Sequence, residues 1–97
     1  MTSFVIDTGF QNHLKIDRAG ETMQAILDSL PHDATQAQID GKTVEWVTGE
    51  LRSPKTLQTV RRRLVQLWPL ITPLAESYPE GFDAILLEFA ERSTTLG

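Results

Sequence analysis

Three adjacent arginines, Arg61, Arg62 and Arg63, follow Lys55 in the stretch RSPKTLQTVRRRL, residues 52–64. Guanidinium and ammonium groups placed this close together can take phosphates or carboxylates through charge-assisted hydrogen bonds. They stand against the grain of the chain. The net charge is −4, yet residues 51–75 carry five basic residues and no acid, a segment of +5 that leaves −9 for the remainder. Such asymmetry suits an acidic protein partner, a nucleic acid or a second copy of the same chain. The same residues also suit the solvated face of a helix.

Other chemistry has less to stand on. His13 and His32 show neither the H-x-x-x-H nor the H-E-x-x-H spacing of a zinc site, so no metal is expected. There is no G-x-S-x-G, no G-x-G-x-x-G and no phosphate-binding glycine loop, so no cofactor is expected either. Asp7 and Asp17 can approach each other across a hairpin, but paired carboxylates without a pocket are usually solvated strand ends. Cysteine is absent, which removes disulfides, thiolate ligands and a cysteine nucleophile. The reading is therefore a non-catalytic protein.

These residues need elements to position them. Ninety-seven residues, 40% hydrophobic and 23% charged, make one domain over 1–97 with a modest core. MTSFVIDTGF lacks the basic and apolar regions of a signal peptide, and no run approaches the ~18 apolar residues of a membrane span, so a cytoplasmic location is expected. Ser3–Asp7 and His13–Asp17 read as two strands of an N-terminal hairpin. Met23, Ile26, Leu27 and Leu30 lie on one face of a short helix over 21–30 that ends at Pro31. Asp40-Gly41 between two short runs signals a second hairpin over 37–47, because both central residues of a type I′ turn need positive φ. A helix over 44–51 is the competing reading.

Ser53-Pro54 opens a long helix, with serine as cap and proline in its first turn. Leu57, Val60, Leu64, Leu67, Ile71 and Leu74 then recur at alternating spacings of three and four, a heptad-like seam. Pro69 and Pro73 kink this helix over 54–76 near Trp68, or divide it there. A last helix over 80–92 presents Phe82, Ile85, Leu86 and Phe89, and 93–97 is a polar tail. The expected class is α+β: small N-terminal hairpins packed on a helical C-terminal half.

With the seam turned inward, Lys55 and Arg62 point outward beside Gln58, Thr59 and Gln66, while Arg61 and Arg63 flank the core. Trp46, Trp68 and Tyr78 are large enough to anchor an interface. The partner-binding set is then Lys55, Arg61, Arg62, Arg63 and Trp68. It would serve an adaptor, chaperone-like or regulatory protein that captures an acidic partner, or itself as a homodimer.

EWVTGELRSPKTLQTVRRRL, residues 45–64, also resembles the helix-turn-helix of LuxR-type regulators, with Glu45, Trp46, Val47, Leu51, Ser53, Pro54, Lys55 and Thr56 at matching places. The resemblance implies a transcriptional regulator using 45–67. Lys55, Gln58, Thr59, Arg62 and Gln66 would face the major groove, with Arg61 and Arg63 near phosphates. A pI of about 5.0 favours the protein partner over nucleic acid. Residues 38–48 discriminate: a hairpin there excludes this motif, and a helix allows it.

Overall fold

A computed structural model describes residues 17–97. The N-terminal hairpin expected before Asp17, with His13 and Asp7, lies outside the described residues. Five helices follow: α1 Arg18–Asp28, α2 Gln36–Arg52, α3 Leu57–Ile71, α4 Leu74–Ser77 and α5 Pro79–Leu96. The described residues contain no strand, so they form an all-helical bundle and the expected α+β class is corrected.

α1, α2 and α3 each follow a residue whose side chain satisfies a free N–H group, and α5 instead opens on Pro79, which has no N–H to satisfy. Asp17 ends no strand; its carboxylate accepts from the Gly20 N–H at 3.0 Å and starts α1 three residues before the expected Glu21. The buried stripe of α1 is Ala19, Thr22 and Ile26; of the expected set Ile26 is buried, Met23 and Leu30 are half-buried and Leu27 is exposed.

The second hairpin is also corrected. Thr35 and Gln38 form a capping box: the Thr35 hydroxyl accepts from the Gln38 N–H, and the Gln38 amide oxygen accepts from the Thr35 N–H. From there α2 runs unbroken through Asp40-Gly41. Its buried residues, Asp40, Thr43, Val47 and Leu51, recur at helical spacing. Two of the four are polar, which hides the period from a reading of apolar residues alone. The Asp40 carboxylate is satisfied by the Gln36 amide at 2.9 Å, and the Thr43 hydroxyl by the Ile39 carbonyl at 2.7 Å. No described glycine has a positive φ, so Gly41 serves as an ordinary helical residue.

The long helix starts and breaks elsewhere than expected. Thr56, not Ser53, caps α3, and its hydroxyl accepts from the Thr59 N–H at 3.2 Å. Pro54 is a buried turn residue rather than the first helical residue. The chain passes through Pro69 without leaving the helix, and the break falls after Ile71, where Pro73 cannot donate back to the preceding turn. In place of one kinked helix over 54–76 there are two, α3 and the single-turn α4. At the other end α5 runs four residues past the expected stop at 92. The Thr94 hydroxyl bonds back to the Ala90 carbonyl at 3.1 Å, and Leu96 packs on the core.

The core is Val47 and Leu51 of α2, Val60, Leu67 and Ile71 of α3, Leu74 of α4 and Ile85 of α5, rimmed by Val44, Leu64, Leu70, Phe82, Phe89 and Leu96. Removing such side chains from water at ~25 cal/mol per Å² is what holds isolated short helices together. α1 is tied to this core by a polar cross-link. Arg18 donates to Glu50 at 2.7 Å and to Gln66 at 3.1 Å, and Thr22 donates to the second Glu50 oxygen at 2.7 Å, so one carboxylate joins α1 to α2 while Arg18 reaches on to α3.

Candidate protein-binding face

At about 100° per residue, burying Val60, Leu67 and Ile71 leaves Val65 at the centre of the opposite side of α3. Around it stand Gln58, Arg61, Arg62, Trp68, Pro69 and Thr72, and of these Gln58, Arg61, Arg62, Trp68, Pro69 and Thr72 are all exposed. Val65 is 71% exposed and Trp68 40% exposed, although both are large and apolar. Leu64, Val65, Trp68 and Pro69 line a shallow, largely apolar cleft.

The Trp68 ring rests on Phe82 of α5, centroids 6.3 Å apart and planes tilted by 56°. Gly97, at the other end of α5, lies beside Leu57. The two helices therefore run antiparallel, which sets Leu86, one turn beyond Phe82, on the α3 side of α5. Leu86 is itself exposed. The guanidiniums of Arg61 and Arg62, in no ion pair among the described residues, lie one turn before Val65, and the aromatic Trp68 one turn after.

The five basic residues of 51–75 divide by what they touch. Arg52 donates to Glu88 at 3.0 Å, and the hydrogen bond and the charge of Glu88 push its pKa up from an already high value. Arg63 donates to the Glu50 carbonyl at 3.1 Å and to the Ser53 hydroxyl at 2.8 Å, closing the C-terminal end of α2. It belongs to the turn and not to the face on which it was expected. Among the described residues the ion pairs are Arg18–Glu50, Lys42–Glu45 and Arg52–Glu88. Lys55, Arg61 and Arg62 are in none of them and are exposed. Trp46 and Tyr78 line other depressions, Trp46 with Glu45 and Gly49, Tyr78 with Ala37 and Gly41.

The set implied by the helix-turn-helix resemblance divides too. α2, the break at Ser53–Thr56 and α3 have the required connectivity, and helix over 38–48 satisfies the discriminating condition. Gly49 stays helical in open space. Lys55, Gln58 and Arg62 are exposed, but Thr59 is half-buried and Gln66 is held by Arg18 on the flank covered by α1. The Ser53–Thr56 turn is clamped from behind, where Arg92 of α5 donates to the Pro54 carbonyl.

Among the described residues no group of three or more His, Cys, Asp and Glu could hold a metal ion. His32, in the turn after Pro31, is exposed, and Asp17 is committed to its cap. No helix is long and apolar enough to cross a membrane among the described residues. No family model, curated protein or solved structure matches this chain.

Proposed function

We propose that this chain works by binding protein through the outer face of α3 and the adjoining edge of α5, as an adaptor, chaperone-like or regulatory protein rather than a catalyst. The observation that carries the reading is the order of residues along one helix. Arg61 and Arg62, in no ion pair among the described residues, precede an exposed apolar cleft of Leu64, Val65, Trp68 and Pro69. Large apolar side chains left in water beside arginine suit an interface centre, with the charges steering approach from the rim. The complementary ligand is an acidic, amphipathic segment. The proposal places the protein in the cytoplasm, where a small domain without cysteine needs no oxidising compartment.

The test is fluorescence anisotropy of a labelled acidic amphipathic helical peptide titrated with the chain at two salt concentrations. Reversing Arg61 and Arg62 to glutamate should weaken binding roughly tenfold or more and flatten its salt dependence. Trp68→Ala should weaken it at both salts. Binding of the peptide unchanged by all three substitutions would overturn the proposal.

A second reading, a helix-turn-helix DNA-binding regulator, is favoured by one observation: α2 runs helical through 38–48 and breaks at Ser53–Thr56 before α3. Lys55, Gln58, Thr59 and Arg62 would carry it. Against it stand the engagement of Gln66 with Arg18 and an apolar centre on the face that would enter the groove. A gel shift with mixed-sequence duplex tests it, since binding through these residues must fall steeply as salt rises.

A further inference from the structure

We infer that the occupant of this face is a second copy of the chain, related by a two-fold axis that crosses α3 at Val65. The inference rests on the protein-binding reading above and names its partner. An isologous interface requires a patch complementary to itself. This face meets that requirement in its charge. Lys55, Arg61 and Arg62 stand toward one end of α3, and Glu76 of α4 follows its other end, all exposed. Val65 and Trp68 lie between the two ends.

A two-fold axis perpendicular to α3, lying in the contact plane, makes the copies antiparallel and lays each cationic end over the other's acidic end. Positions equally far before and after Val65 then meet, and each keeps its side of the helix. Arg61 and Trp68 both lie on the α5 side of Val65, so the guanidinium of one copy comes over the indole of the other. Such a cation over an indole is attractive within about 6 Å of the ring centroid. Arg62 and Pro69 both lie on the α1 side and meet likewise. Gln58 and Thr72 stand seven residues before and after the axis and form a polar pair, and beyond them Lys55 approaches Glu76. The parallel arrangement would stack Arg61 and Arg62 on their own copies and is disfavoured by like charge. The apolar centre is small, essentially Val65, Trp68 and Leu86 from each copy, which sets the assembly in the weak class, with dissociation constants on the order of micromolar.

The chain contains no cysteine, so a single introduced thiol reports its own neighbours. A residue on a two-fold axis meets itself, and Val65→Cys should form disulfide-linked dimers under mild oxidation at least about tenfold faster than Leu87→Cys, a well-exposed position on the far side of α5. The full-length unmodified chain should sediment as a concentration-dependent monomer and dimer, and Val65→Glu, with its helical circular dichroism intact, as a monomer. Equal cross-linking rates at the two positions, self-association undiminished by Val65→Glu, or a monomer at roughly 200 micromolar would each overturn the inference. A chain that stays monomeric but still binds the acidic peptide through Arg61, Arg62 and Trp68 overturns only the second copy and leaves the protein-binding reading standing. Loss of both overturns both.

Discussion

Replacing Gly41 by alanine should stabilise the protein. Glycine inside a helix costs about 0.5–1 kcal/mol relative to alanine, because its unfolded backbone has more freedom to lose. That gain is realised only where the new methyl group finds space and the backbone has negative φ. Both conditions hold: a Cβ built on Gly41 meets nothing within 4 Å, and no described glycine has positive φ. Gly49 offers the same open space. The two lie eight residues apart on α2, about 12 Å along the axis, far enough for their effects to add. Gly41→Ala should therefore raise stability by about 0.5–1 kcal/mol and the double variant by about 1–2 kcal/mol. In a domain of this size each kcal/mol moves Tm by about 4–8 °C, so thermal melts by circular dichroism resolve both steps. The sign carries the inference. Were Asp40-Gly41 the centre of a type I′ turn, alanine would be forced into positive φ and Tm would fall. A lower Tm for Gly41→Ala, with Gly49→Ala raising it, would refute the continuous α2 and restore the hairpin.

Gly81 behaves oppositely. A Cβ there would lie 2.5 Å from Cγ2 of Val44 and 2.6 Å from Cδ2 of Tyr78, so Gly81→Ala should cost about 1–3 kcal/mol in urea unfolding, and Val44→Ala should recover part of that loss. Glu50→Ala leaves Arg18 and Thr22 without their shared acceptor; a destabilisation of about 1–3 kcal/mol is expected, and a double-mutant cycle with Arg18→Ala should show coupling. On α3, Leu67→Ala should cost about 2–5 kcal/mol, while Val65→Gln should change the monomer's stability by less than about 0.5 kcal/mol. Equal losses at the two positions would contradict the outward orientation of Val65.

The seam of α3 was legible because its residues are apolar and recur at alternating intervals of three and four. Val60, Leu67, Ile71 and Leu74 are buried, and Leu57 and Leu64 half-buried. The outward direction of Arg61 and Arg62 follows from that seam. α2 was not legible for a definite reason: Asp40 and Thr43 occupy buried positions, so counting apolar residues misses its period, and Asp-Gly supplied a stronger local turn signal. The Thr35–Gln38 capping box was the missed cue. Two candidate caps stand before α3; Ser53 instead ends α2 and accepts from Arg63, and Thr56 caps α3, which begins at Leu57. The division of the arginines into structural and free could not be read locally. Glu88, which claims Arg52, is 36 residues away in the chain, and the Glu50 carbonyl claiming Arg63 is reached only once α2 and α3 fold back on each other.

The Arg92–Pro54 clamp spans 38 residues and joins the last helix to the turn between α2 and α3. A link of that separation forms after loop closure, once α5 has docked, so it belongs late on the folding route. Arg92→Met should leave the refolding limb of the chevron nearly unmoved and accelerate the unfolding limb. A slowed refolding limb would instead place α5 in the nucleus. With the clamp late, the Ser53–Thr56 turn would owe its slow opening to a residue 38 positions further along the chain.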